Sequence, residues 1–284
     1  MMNNLIDTNF SKVKLSLFYV PSILLFILAD FLCIHHIWTV DSYISVQKEA
    51  FLELNLILSH YSKWMENLTQ LGDALVILSF LSPLLIVTPR ICGPLALGSL
   101  ISAVFCCLLK WLFSVPRPAA VLDTDNFVII GKKLVGSNSL PSGHAITVFT
   151  TLTIILIAFM PKRELKKLVW ILFFIIISAG ISITRVGVGA HYILDVTIGG
   201  IIGYVSAVTG IICSQKYNLW KWIPHKQYDV FLIVLLLVCC GILFQKIIEQ
   251  QLPVFYLSFV SLCISLYLVI CRIIEQQRNA FLVK

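Results

Sequence analysis

Eight apolar runs divide the chain, at Leu15–Ile34, Ala74–Val87, Ile91–Phe113, Ala145–Met160, Leu168–Ile183, Ile193–Ile212, Val230–Phe244 and Val254–Cys271, with polar and basic residues gathered between them. A helix needs about 20 residues to cross the hydrocarbon of a bilayer, so the pattern predicts an all-α, polytopic membrane helix bundle. The runs opening at Ala74 and Val230 are short for that task. Their polar flanks snorkel, or one of the two is re-entrant. The first run has no small-residue cleavage site and is long for a signal sequence, so it reads as a retained helix. Between the first two runs, Asp41–Leu71 mixes Phe51, Leu52, Trp64 and Met65 with Glu53, Lys63 and Glu66. It reads either as amphipathic helices on the membrane surface or as a packed extramembrane cap.

Composition supports the same class: 59% hydrophobic and 12% charged residues, with a mean hydropathy of +0.95, cannot be wrapped around a water-facing surface. If every run crosses once, the connections alternate sides. Thirteen of the 21 Lys and Arg residues then fall on one side, among them Lys12, Lys14, Arg90, Lys162, Arg163, Lys166 and Lys167, and eight on the other. The richer side is cytoplasmic by the positive-inside rule. The net charge of +7 follows from this bias together with an anion site, and nothing in it marks a nucleic-acid partner. The nine cysteines lie within or at the ends of apolar runs without C-x-x-C spacing, which is the use of Cys as a packing residue rather than a metal or redox site.

Candidate chemistry sits in three places. Thr184–Asp195 sets Arg185, two glycines, His191 and Asp195 between two apolar runs. The four-residue spacing predicts that His191 and Asp195 share a helix face, with the carboxylate holding one ring nitrogen and the other left free to attack. Gly187 and Gly189 suit a tight anion-binding turn. Upstream stand Lys110 with Arg117-Pro118, and the PSGH of Pro141–His144, where Ser142 and the Gly143 N–H open an apolar run and favour an anion at a helix start. An even number of crossings separates the three pieces, so all emerge on the outer face.

Lys, six residues, Arg-Pro; PSGH; then Arg, five residues, His, three residues, Asp: with this pattern the chain resembles the type 2 phosphatidic acid phosphatase (PAP2) superfamily from Lys110 to Asp195. The third motif usually opens Ser-Arg and here reads Thr184-Arg185, keeping the hydroxyl and adding a methyl. The resemblance implies a bundle with a six-helix core, and the residues suit phosphoryl transfer through a covalent histidine. His191 is the nucleophile, Asp195 its orienting carboxylate and His144 the acid for the departing oxygen, while Lys110, Arg117, Ser142, Gly143 and Arg185 hold the phosphate. No metal or cofactor is called for, because the sequence offers no carboxylate cluster or His/Cys set for a divalent ion.

The expected activity is that of a lipid-phosphate phosphatase in the cell (inner) membrane, its site facing the periplasm or outside. Its partners are the bilayer and a phosphorylated membrane lipid, with undecaprenyl pyrophosphate and lipid A ranked ahead of phosphatidylglycerol phosphate and phosphatidic acid. A phosphotransferase would use the same residues, and a transporter or scaffold that only binds a lipid phosphate would need the cations but not the His–Asp pair. Residues 1–213 form the expected core. Residues 214–284, with the basic, tryptophan-bearing linker Lys216–Lys226, form an accessory pair that packs on the core or makes an oligomer contact.

Overall fold

The computed structural model describes residues 2–217 and 225–282, so the linker's stretch 218–224 lies outside the described residues. Helices make up the fold, and no strand occurs among the described residues. In chain order they are α1 (Met2–Phe10), α2 (Tyr19–Ile34), α3 (Val40–Ser59), α4 (Ser62–Gln70), α5 (Ala74–Val87), α6 (Cys92–Phe113), α7 (Pro118–Val121), α8 (Gly143–Ala158), α9 (Glu164–Gly187), α10 (Ile193–Tyr217), α11 (His225–Gln250) and α12 (Pro253–Leu282). Each predicted apolar run is one of these helices. Among the described residues, six helical spans are long and apolar enough to cross a membrane, and a seventh arises if α4 and α5, bent by 68° at their junction, count as one. The protein is therefore a multi-pass, all-α membrane bundle.

The two short runs resolve differently. The run opening at Val230 gains length because α11 continues through the polar residues Gln245–Gln250. The run opening at Ala74 stays short: Asp73 caps α5, its carboxylate accepting from the N–H groups of Leu75 and Val76, and the chain turns there into α4.

Helix α10 is the centre of the bundle, packed on α8 and α6. Small residues permit that closeness. A Cβ at Gly203 would stand 2.6 Å from the Ile146 carbonyl oxygen of α8, and one at Gly210 would stand 2.6 Å from the Gly98 nitrogen of α6. In lipid, where apolar surface gains nothing by leaving its solvent, such backbone approach is the main source of helix association. Helix α9 lies against α8, and α12 packs on α5 with α11 outside it.

Helices α3 and α4 pack over the end of α9, so Asp41–Leu71 is a packed cap rather than a surface-lying pair. Phe51 is fully buried, edge-on to both Phe127 and Tyr192. Asn55, also fully buried, joins three segments: its amide nitrogen donates to the carbonyls of Val128, Val186 and Gly187 at 3.0–3.1 Å, and its oxygen accepts from Val128 N at 2.8 Å. The cap thus ties off the carbonyls at the C-terminus of α9, which have no partner within the helix.

Candidate active site

The five helix ends that carry the predicted motifs meet at one end of the bundle. Lys110 stands in the last turn of α6, Arg117 precedes α7, His144 lies in the first turn of α8, Arg185 in the last turn of α9, and Asp195 in the first turn of α10. His191 differs from expectation in one respect. It lies in the turn before α10 rather than on the helix. The pairing survives because Asp195 is the third helical residue and folds back over the N-terminus, its Oδ2 accepting from Tyr192 N at 2.9 Å, half of a capping box. That leaves Oδ2 3.5 Å from His191 Nδ1.

The turn is fixed by backbone bonds and by one glycine. Ala190 N and His191 N both donate to the Arg185 carbonyl, at 3.0 and 3.2 Å. Gly189 takes φ +75°, and a Cβ there would stand 2.8 Å from the Val128 carbonyl oxygen, so a side chain is excluded by both conformation and space.

Asp195 is fully buried and held on both oxygens. Tyr43 Oη donates to Oδ1 at 2.7 Å, and Ser139 Oγ donates to Oδ2 at 2.6 Å. These are bonds to a charged acceptor, which are short and roughly twice as strong as neutral ones. Burial, then the carboxylate itself, raise the Tyr43 hydroxyl above its ordinary value, which keeps it a donor. Gln47 Oε1 accepts from Leu194 N at 3.0 Å, satisfying another free donor of the α10 N-terminus. Tyr43, Gln47 and Ser139 belong to none of the motifs.

The imidazole of His191 is 2% exposed. Its Nδ1 faces Ser139 Oγ and Asp195, and its Nε2 lies 3.3 Å from Arg117 Nη1. A guanidinium has donors only, so this contact is favourable only if Nε2 offers a lone pair. The proton therefore sits on Nδ1, and Nε2 carries the lone pair. Burial lowers the ring's pKa to about 4; Asp195 opposes that shift and Arg185 adds to it, so His191 is neutral at neutral pH.

The cations are placed but not neutralised. Arg117 donates through Nε to Asn138 Oδ1 at 2.7 Å and through Nη1 to the Ala190 carbonyl at 3.1 Å. Arg185 donates through Nη1 to Thr69 Oγ1 at 2.8 Å, while its buried Nε has no partner. Lys110 Nζ would be 3.9 Å from a Cβ on Gly143. Ser142 caps α8, its Oγ accepting from Ala145 N at 3.5 Å. Thr184, at the position where Ser is usual, donates its hydroxyl to the Ile181 carbonyl of its own helix at 2.5 Å.

Lys110, Arg117 and Arg185 share the enclosure with one carboxylate, Asp195, and none of the three is within ion-pair distance of an acidic group among the described residues. Three positive charges against one negative leave an excess of two. A phosphate group carries about 1.5 to 2 negative charges near pH 7, so the deficit matches it. His144 lies in the field of Arg185, His191, Lys110 and Arg117. It also lines a cavity of about 390 Å³ between α5, α6 and α8, whose walls include Leu78, Ala103 and Ile146. No group of three or more His, Cys, Asp or Glu side chains suited to a metal ion comes together among the described residues.

Residues 93–219 match the family model described as PAP2 superfamily. Among solved structures, LpxE from Aquifex aeolicus is similar at 25% identity, covering 59% of this chain and 95% of that chain with a TM-score of 0.48. No curated protein matches the chain.

Proposed function

We propose, for a chain whose residues 93–219 are of the PAP2 superfamily, that the protein is a metal-independent phosphatase acting on a membrane lipid phosphate or pyrophosphate through a phosphohistidine. The observation that carries this reading is the His191 environment: a neutral ring with its lone pair on Nε2, inside an enclosure two positive charges in excess.

In the first half-reaction, Nε2 attacks phosphorus as the bond to the leaving oxygen breaks, and His144 gives that oxygen a proton. The attacked ring becomes positive, and Asp195, 3.5 Å from Nδ1, offsets the new charge. Lys110, Arg117, Arg185, the Ser142 hydroxyl and the Gly143 N–H neutralise the oxygens of phosphorus. In the second half-reaction His144 takes a proton from water, the oxygen attacks phosphorus, the N–P bond breaks and His191 is restored. The protein's own groups supply all of the charge neutralisation in this scheme.

The cavity beside His144 lies between helices at the level of the α5 and α8 N-termini, which suits an amphiphile whose phosphate is held at the site while its apolar part remains among the helices. Undecaprenyl pyrophosphate and lipid A remain the leading substrates. Residues 1–213 serve as the catalytic core and 214–284 as an accessory pair, and the site faces the outside of the cytoplasmic membrane. Lys12, Lys162 and Lys167 gather around one groove, lined also by the C-terminal end of α8, whose N-terminal end carries His144, in keeping with that orientation.

Purified protein in lipid nanodiscs, assayed for phosphate release against a panel of these lipids with EDTA present, tests the reading. His191→Ala is expected to abolish turnover and to remove an acid-labile, base-stable phosphoryl group from the protein. Equal phosphate release by parent and variant would refute the covalent mechanism. A requirement for one particular metal would refute its metal independence.

A further inference from the structure

A second space in the molecule is larger than the site and separate from it. A groove of about 1100 Å³ opens between the α1–α2 segment and α9, with α8 and α10 as its floor. On the α9 side it follows the helix from Glu164 to Ile183, about 28 Å at 1.5 Å per residue and close to the ~30 Å hydrocarbon thickness. On the α2 side only the first part of the helix, to Leu24, lines it. Helix α2 itself is nearly detached from the protein, with 6% of its apolar window buried against 56% for α10. None of the residues assigned to phosphate or to catalysis lines this groove.

Its walls and its rim differ in character. Leu17, Leu24, Leu156 and Phe174 make the interior apolar, while Lys12, Lys162 and Lys167 surround the end remote from the active site. Glu164 pairs with Lys167 at 3.6 Å, so three ammonium groups face one carboxylate and two positive charges remain. Water does not fill an apolar groove of this size at membrane depth, and the adjacent protein does not fill it either. Basic pockets between membrane helices are suited to acidic lipid headgroups, whose chains then occupy the apolar part.

We propose that this groove holds one anionic diacyl phospholipid, its phosphate on Lys12, Lys162 and Lys167 and its chains between α2 and α9. The lipid completes the packing of α2, which the protein alone leaves open. The site is independent of the catalytic reading, because its basic end lies at the opposite end of the helices and it uses none of the same residues.

Native mass spectrometry of the full chain, delipidated and then offered equal amounts of phosphatidylglycerol and phosphatidylcholine with the same chains, tests this. The parent protein is expected to retain one phosphatidylglycerol per chain with a preference of at least about tenfold, undiminished by millimolar inorganic phosphate. The triple variant Lys12→Glu, Lys162→Glu, Lys167→Glu is expected to lose the preference. Leu24→Trp, at a position that is 46% exposed and outside the core, is expected to lower retention of both lipids by narrowing the groove. Arg185→Ala, which alters the catalytic enclosure instead, is expected to retain the lipid as the parent does. Equal retention of both headgroups by the parent, or a preference that survives charge reversal, would overturn the proposal. So would loss of the lipid in Arg185→Ala, which would place it in the active site, or a lipid-free dimer mass, which would give the groove to a second copy of the chain.

Discussion

Replacing Asp195 by Asn isolates the charge of the carboxylate from its shape. The Tyr192 N–H is a fixed donor 2.9 Å from Oδ2, so the amide oxygen of Asn must take that position and the NH₂ must take the position of Oδ1. The Tyr43 hydroxyl, 2.7 Å away, can turn to accept from it, and Ser139 keeps its acceptor at Oδ2. The fold is thereby preserved while one negative charge is lost. In the proposed reaction that charge stands 3.5 Å from the nitrogen whose ring becomes positive. At an effective dielectric constant of ~20, two unit charges at that distance interact by about 5 kcal/mol. Because the neutral ring of the free enzyme does not feel this attraction, nearly all of it belongs to the transition state and the intermediate. At 1.36 kcal/mol per decade, kcat should fall by about 10³-fold or more, with little change in KM. The assay is phosphate release under saturating lipid, with thermal unfolding of the two proteins as the control. A variant that unfolds at the parent temperature and keeps kcat within about tenfold would show that Asp195 serves only as a helix cap.

Five other outcomes follow. Because burial holds the His191 pKa near 4, the acid limb of kcat/KM, after correction for the substrate's own ionisation, should lie near pH 4 rather than near 6.5. The unfolded chain takes up a proton at His191 below about 6.5 and the folded one only near 4, so this group's contribution to stability is complete above pH 6.5 and declines as pH falls toward 4, which thermal unfolding across that window measures. Tyr43→Phe removes one hydrogen bond to a charged group, worth about 1.5–3 kcal/mol, and should lower kcat by about 10- to 100-fold as the carboxylate loses one of its anchors; an unchanged kcat would make Tyr43 a packing residue. Gly72→Ala would put a Cβ 2.6 Å from the Cβ of His144 and should displace that imidazole, lowering kcat in a protein whose thermal unfolding stays close to the parent's. In a cysteine-free variant, a cysteine at Val135 should react with an impermeant thiol reagent from outside intact cells and one at Glu164 should not; the reverse pattern would move the active site to the cytoplasm.

The bundle and the motif residues were legible because both are encoded in short, regular signals: apolar runs of membrane length and fixed spacings around Lys110, His144 and His191. What supports the site was not, because Tyr43, Gln47, Asn55, Thr69 and Ser139 reach it from distant parts of the chain. A faint signal did exist. Tyr43, Gln47, Phe51 and Asn55 recur every four residues along α3, a single ridge of the helix, and all four are buried. A polar stripe of that kind in a segment rich in exposed apolar residues marks a face that must find partners, since buried amides and hydroxyls are costly unless bonded. The sequence does not reveal what those partners are: Asn55 closes the end of α9, Gln47 the start of α10, and Tyr43 the carboxylate itself. The placement of His191 two residues before α10 was likewise hidden, because a helix start at Ile193 depends on the reach of Asp195 back to Tyr192 N.

Arg117 touches both Asn138 and the ring of His191. Its Nη1 covers the Nε2 lone pair of His191 at 3.3 Å, the same lone pair that attacks phosphorus in the proposed mechanism. The guanidinium cannot stay there during attack, yet it is anchored at Nε by Asn138 and needs to swing only its outer nitrogens toward an arriving phosphate oxygen. The exchange is favourable because a contact with a neutral ring is replaced by a charge-assisted bond to an anion, of about twice the strength. Until the phosphate arrives, the resting contact holds the lone pair on Nε2 and so keeps the Nδ1 proton directed at Asp195 and Ser139. A lysine at this position could supply the charge but not this hinge, since its single nitrogen cannot remain on Asn138 while another leaves His191. Arg117→Lys should therefore lose more in kcat than in the affinity for inorganic phosphate, whereas a residue that only attracted the anion would lose both in parallel.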